Sequence, residues 1–199
     1  MFVIGLTGGI GTGKTEVSNI LRQLGAEVMG ADEMAHLAYQ SGSETWSRLR
    51  SAFGDRILTP DGEVDRRALG SLVFDDPEAL RRLNEIVHPA VKSLLVERLG
   101  ELDDEDTKVA VVEVVLLLEA GWQELFNEIW VVTADEDMAV DRTASRSGMT
   151  AAAVRSRIGS QMPQTERAGH ADVVLSNNGT LNELQGKVER LWRARVPAA

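Results

Sequence analysis

The 199-residue chain contains no cysteine, which removes disulfides, thiolate zinc sites and cysteine nucleophiles together and fits a reducing compartment. Histidine is scarce as well, and three scattered histidines without cysteines supply no zinc-ligand spacing. Basic charge is in deficit: 21 Lys and Arg stand against 31 Asp and Glu, for a formal net charge of −10, so no basic coat invites nucleic acid or an anionic membrane. Long apolar runs are missing too. The longest, Val109 to Leu118, is interrupted by Glu113 and falls far short of the roughly 20 residues a membrane-spanning helix needs. At the N-terminus, Met1-Phe2-Val3 has no basic residue and the apolar stretch breaks into glycines by Gly8, unlike a signal peptide. These absences leave the expectation of a cytoplasmic protein that binds neither nucleic acid nor membrane. With 43% hydrophobic and 26% charged residues, the chain suits one folded unit with inserted lobes.

Phe2-Val3-Ile4-Gly5-Leu6 reads as a buried strand, followed by a glycine-rich loop and a helix in which Val17, Ile20, Leu21 and Leu24 recur until Gly25. A second short strand is expected over Ala26 to Ala31, with Asp32 where that strand gives way to a polar segment. From Glu33 to Leu99 no strand pattern stands out. Leu80, Leu83, Val87, Val91, Leu94 and Leu95 form a helical stripe, and Pro89 is expected to begin a new helix or to bend this one. Glu101 to Asp106, with five acids in six positions, reads as a solvated linker. Val109 to Leu118 is expected as a central strand buried on both faces, Glu128 to Thr133 as another, and Val173 to Leu175 as the last. An amphipathic helix through Leu181, Leu184, Val188, Leu191 and Trp192 closes the chain. Strands separated by helical stretches imply an α/β fold with a parallel five-stranded sheet flanked by helices.

Gly8-Gly9-Ile10-Gly11-Thr12-Gly13-Lys14-Thr15 matches the GxxxxGK[ST] phosphate loop at every fixed position. Glycines let the backbone close around phosphates and point successive N–H groups at the anion. Lys14 then reaches the terminal phosphates, the Thr15 hydroxyl is suited to Mg²⁺, and the following helix adds its positive N-terminal end. The bland alternative is a glycine-rich turn with a surface lysine. Further along, residues 138 to 170 hold Arg142, Arg146, Arg155, Arg157 and Arg167 against only Asp141 and Glu166, a local reversal of charge suited to a polyphosphate. Arg142 and Arg146, four apart, share a helix face. Ordinary solvated helix faces are the alternative there.

A phosphate loop alone does not separate a switch, a motor and a small-molecule kinase. An acid after the second strand, a helical lobe for an acceptor and an Arg-rich lid favour a kinase. The chain resembles the dephospho-CoA kinase family over nearly its whole length. Ile4 to Gly11 followed by Thr12-Gly13-Lys14-Thr15 is similar to that family's opening, and Ala31-Asp32 with Ala35-His36 to its DAD-x-x-A-H segment. Asp65-Arg66-Arg67-Ala68-Leu69, Val73-Phe74 and His88-Pro89 resemble its substrate-lobe markers. Leu116-Leu117-Leu118-Glu119 resembles its PLLFE stretch, and Gln161-Met162, Ala171-Asp172 and Asn177-Asn178-Gly179 resemble its C-terminal pattern. Gly30, Val115, Leu118 and Ala139 depart from that pattern, where aspartate, proline, phenylalanine and glutamine are usual.

The resemblance implies transfer of the ATP γ-phosphoryl group to the ribose 3′-hydroxyl of dephospho-CoA, with Mg²⁺ accompanying ATP. It implies a core of residues 1–31, 107–137 and 171–199, a substrate lobe of 32–106 and a lid of 138–170. Asp32 is the candidate to take the hydroxyl proton, its alternative being a helix N-cap. Lys14 and Arg146 are candidates to neutralise the transferring group and Arg142 to stack on adenine, although the two arginines are interchangeable. The nucleotide set is Gly9, Ile10, Gly11, Thr12, Gly13, Lys14, Thr15, Glu16, Arg142 and Asn177. His36, His88 and Glu119 complete the acceptor set with Asp32, although each has a structural alternative. Another P-loop kinase, acting on a nucleoside monophosphate or shikimate, and a nonenzymatic nucleotide switch are the competing classes.

Overall fold

In the computed structural model, which describes residues 1–73 and 76–197, the five strands β1 (Phe2–Gly8), β2 (Glu27–Gly30), β3 (Val109–Glu113), β4 (Glu128–Thr133) and β5 (Val173–Ser176) form a parallel sheet. Their order is β2-β3-β1-β4-β5. Phe74 of the expected Val73-Phe74 marker lies outside the described residues. The helices are α1 (Lys14–Gln23), α2 (Ala31–Ala38), α3 (Glu44–Phe53), α4 (Arg66–Val73), α5 (Pro77–Asp104), α6 (Glu136–Ser147), α7 (Ala151–Gly159), α8 (Gln164–Gly169) and α9 (Leu181–Arg195). Among the described residues no helix is long and apolar enough to cross a membrane.

The chain divides into two compact units, residues from Met1 to Gly30 with those from Glu101 onward, and the segment Ala31–Gly100. In the first, alternate residues of four strands face one way: Ile4 and Leu6, Val109 and Val111, Trp130 and Val132, Val173 and Leu175. Val17, Ile20 and Leu21 of α1 and Leu184 and Val188 of α9 join them in one core cluster, the apolar stripe of each helix meeting the pleated face of the sheet. α9 is started by a capping box, in which Thr180 accepts from the Glu183 amide while the Glu183 carboxylate accepts from the Thr180 amide. On the other side Gly5 admits Leu117 and Phe126 close against β1, where any side chain would collide with both. Trp130 is fully buried and its indole N–H is satisfied by Glu128 Oε2 at 2.8 Å. In the second unit, α2 to α5 are accompanied by an antiparallel bridge between Leu58 and Val64. Leu49, Ile57, Leu69, Val91 and Leu95 are among its buried residues.

Three expectations about the elements are corrected. The strand begun at Val109 ends at Glu113 and not at Leu118. Beyond it Val114 N still donates to Leu6 O at 2.9 Å, and then the chain winds through a helical turn in which Ala120 N donates to Leu116 O at 2.9 Å. Leu117 and Leu118 are buried by packing, so the run stays apolar although the strand has stopped. The acidic stretch from Glu101 is no linker: α5 continues to Asp104, with Leu102 2% exposed and the acids mostly facing water. Pro89 starts no helix, since α5 runs through it.

Replacing the fully buried Leu21 with Ala is expected to cost about 2–5 kcal/mol of stability, whereas Leu181→Ala, at a 58% exposed position, should stay within about 0.5 kcal/mol. Urea denaturation of the two variants beside wild type checks both values.

Candidate active site

The loop between β1 and α1 is shaped by groups brought from far along the chain. Gly13 precedes α1 with φ 94°, a left-handed conformation open to glycine, and a Cβ there would overlap the Asn177 amide. That amide donates from Nδ2 to Thr12 O at 2.9 Å, and Ile10 N donates to Gln161 Oε1 at 3.0 Å. Thr12 Oγ1 donates to Gly9 O at 3.0 Å. Lys14 Nζ rests on Gly8 O at 2.9 Å and Gly9 O at 3.0 Å. The loop is thus fixed from both ends with the lysine laid along it.

Beside the loop lies a cleft of about 230 Å³ whose lining includes Gly11, Lys14, Thr15, Glu16, Arg142 and Arg146. Both arginines come from α6, as their four-residue spacing requires, and the N-terminus of α1 adds partial positive charge. The cleft therefore gathers backbone donors, an ammonium, two guanidiniums and a hydroxyl around a space sized for phosphates. Arg142 Nη1 also donates to Asn177 O at 3.0 Å, tying α6 to the turn after β5. Ala139, a departure from the family pattern, is buried, and its carbonyl lies where a Cβ on Gly11 would have to go.

Most of the expected nucleotide residues meet here, but Asn177 and the Arg-rich segment behave differently from expectation. Asn177 is 6% exposed and spends its amide on Thr12 O, so its role in the nucleotide set is to hold the loop. The positive excess of residues 138–170 is not all turned to the cleft. Arg155 is bound by Glu136 and Asp137 at 2.6 Å each, acids that lie just before that segment and neutralise part of it. Arg167 is 1% exposed and pairs with Glu119, Nη2 to Oε1 at 3.2 Å. Glu119 sits in the turn after β3 and starts no helix. Sequence reading gave Gln161 and Arg167 no role of their own. The available signal was their membership of the family's C-terminal pattern and of the Arg-rich count.

Asp32 and His36 belong to the other unit and stand on α2, which begins immediately after β2; Asp32 is exposed in its first turn. The His36 ring meets Tyr39 edge-on, with centroids 6.0 Å apart at 77°. Burial pushes the Tyr39 phenol above its usual range and the Asp32 charge adds to this, while Arg66 opposes it. Tyr39, in the turn after α2, was not singled out from sequence, because one tyrosine carries no spacing signal. His88 is half-buried in α5, and burial lowers its imidazole below the usual value. Among the described residues no three His, Cys, Asp or Glu side chains cluster as a metal-ligand set. The Thr15 hydroxyl, a hard oxygen donor beside Lys14, fits Mg²⁺ of the kind held mainly by phosphates and water.

A depressed His88 means that the unfolded chain binds its proton first as pH falls. Stability is therefore full above about pH 6.5 and declines below it until the folded imidazole also protonates. His88→Gln should shrink the loss between pH 7.5 and pH 5.5, measured as the shift of the urea midpoint; an equal loss in both proteins would refute the assignment.

The family model for dephospho-CoA kinase matches residues 2–183. A dephospho-CoA kinase of Geobacter sulfurreducens is 44% identical over 197 residues, covering 99% of this chain and 100% of that protein. One from Dehalococcoides mccartyi is 38% identical and covers both chains completely. Among solved structures, a Thermus thermophilus protein superposes with a TM-score of 0.83 at 34% identity, covering 98% of each chain. A Campylobacter jejuni dephospho-CoA kinase at 23% identity, with a TM-score of 0.72 over 98% of this chain and 96% of that one, shares the fold. With the phosphate loop, the five-stranded parallel sheet and these likenesses in agreement, the chain belongs to the dephospho-CoA kinase family, phosphotransferases that act on an alcohol group.

Proposed function

We propose that the protein transfers the γ-phosphoryl group of ATP to the ribose 3′-hydroxyl of dephospho-CoA, releasing CoA and ADP. The observation that carries this is the cleft in which Lys14, Thr15, Arg142 and Arg146 surround the fixed phosphate loop. Such an arrangement suits a reaction in which catalysis is positioning and neutralisation of charge on the phosphoryl oxygens.

The backbone N–H groups between Gly9 and Thr15, other than those of Ile10 and Thr12, which are turned to Gln161 Oε1 and Gly9 O, receive the phosphates, and Glu16 borders the same cleft. Lys14 leaves Gly8 O and Gly9 O to neutralise the transferring group together with Arg146, while Arg142 takes the nucleotide's base side near Asn177. Thr15, with the phosphates, would hold Mg²⁺, which would supply further neutralisation of phosphate charge. The acceptor oxygen forms its bond to the γ-phosphorus as the bond to the β,γ-bridging oxygen breaks, and Asp32 takes the hydroxyl proton. His36 and His88 are assigned to the acceptor. Glu119, whose carboxylate pairs with Arg167, is assigned to the acceptor side with them.

The segment 32–106 is assigned as the acceptor lobe and 138–170 as a lid, whose closure would keep water from the phosphoryl group. Residues 1–31, 107–137 and 171–199 are assigned as the nucleotide core. The net charge of −10 argues against nucleic acid as a partner, and the absence of cysteine supports a cytoplasmic location.

The test is ADP release from Mg-ATP with dephospho-CoA, AMP, shikimate or no acceptor, with the product mass checked for one added phosphate. Release that depends on dephospho-CoA is expected, and release only with another acceptor would contradict the assignment. Asp32→Asn is expected to cut turnover at least about 100-fold while leaving ATP affinity near wild type; near-normal turnover would remove Asp32 from its role.

A further inference from the structure

Arg167 is a buried cation with almost nothing to hold. It is 1% exposed, and its guanidinium makes one hydrogen bond among the described residues, to Glu119. Its Nε is sealed from solvent with no partner among them. A guanidinium carries five N–H donors, and burying such donors unsatisfied is costly. Donors left over in this way call for an explanation, and a bound anion would supply the acceptors.

The position agrees. Arg167 Nη1 lies 3.6 Å from where a Cβ on Gly9 would stand, and Gln161 Oε1 lies 3.5 Å from the same point. Gly9 is not among the glycines with positive φ, so its backbone does not demand glycine. A side chain there would instead fill the space that these polar groups face. Lys14 Nζ, on Gly9 O at 3.0 Å, stands at the same residue. Two cations thus converge on the start of the loop, whereas Arg142 and Arg146 line the cleft beside Gly11 to Glu16.

We propose that Arg167 is a third nucleotide arginine, which contacts the terminal phosphate of bound ATP and is kept aimed at Gly9 by its ion pair with Glu119. The proposal rests on nucleotide binding at the phosphate loop. Because Arg167 shares Gly9 with the lysine that serves the terminal phosphates, its contact discriminates ATP from ADP. A planar guanidinium held on one side by a carboxylate still presents an edge of two donors, the geometry suited to two phosphate oxygens.

The experiment is isothermal titration of the Mg²⁺ complexes of a non-hydrolysable ATP analogue and of ADP into wild type, Arg167→Met, Arg167→Lys and the control Arg155→Ala, each confirmed folded by its thermal melt. Arg167→Met is expected to weaken the ATP analogue at least about tenfold and ADP by less than about threefold, the loss of one charge-assisted contact. Arg167→Lys should fall between, and it reads the same contrast if the Met variant does not fold. Arg155→Ala should match wild type. Equal losses for both nucleotides, or an analogue affinity within about threefold of wild type, would overturn the role of Arg167. A wild-type protein that bound neither nucleotide would overturn the phosphate-loop assignment itself, and this proposal with it.

Discussion

A phosphate-binding loop must present several backbone N–H groups to an anion that is absent much of the time. Ordinary folding would pair such groups or collapse the loop onto itself. Here the loop is fastened by the groups it does not offer to a ligand. Thr12 O takes the Asn177 amide, the Ile10 amide goes to Gln161, and Gly8 O and Gly9 O hold Lys14. What remains is a curved run of backbone held at both ends, at the carboxyl end of the central strand and the positive end of α1. Everything catalytic in the protein depends on that shape being ready before nucleotide arrives.

The sheet explains why the fastening comes from so far away. β1 lies between β3 and β4, so the segments that follow those neighbours, the turn bearing Glu119 and the helix bearing Arg142 and Arg146, are delivered beside the loop. β5 extends the same row, and the turn after it brings Asn177 to Thr12. Parallel pairing puts all of these connections at one edge, where α/β sheets keep their ligands. The face covered by α1 and α9 carries the apolar core cluster, edged by the Ser18–Glu113 and Arg195–Glu128 pairs, and supplies the rigidity. Chemistry and stability are thus divided between the edge of the sheet and its face.

The loop and its helix were legible because the glycine pattern, the lysine and the threonine encode a local shape. β4 was legible because six consecutive residues agree with a buried strand. The misreadings share a cause in tertiary burial that imitates local signal. Val114 to Leu118 stays apolar because Leu117 packs against β1 at Gly5, and the end of α5 reads as a linker because Leu102 is its single deep anchor among acids. Asn177, Gln161 and Arg167 could not be assigned their work from spacing. Asn177 lies 165 residues from its partner and Gln161 lies 151 from its own, and neither distance leaves a periodic trace. Asp32 was legible only as an acid near a strand end, and its place on the first turn of α2 follows from a helix that starts without any intervening loop.

The most direct test of a loop shaped in advance is amide hydrogen exchange of residues 8–15 in the nucleotide-free protein, in wild type and in Asn177→Ala. Slow exchange at the Ile10 amide in wild type, and its loss together with faster exchange at Gly13 and Lys14 once Asn177 is truncated, is the outcome this account predicts. Exchange at the unprotected rate throughout the loop in wild type, slowed only when nucleotide is added, would contradict it.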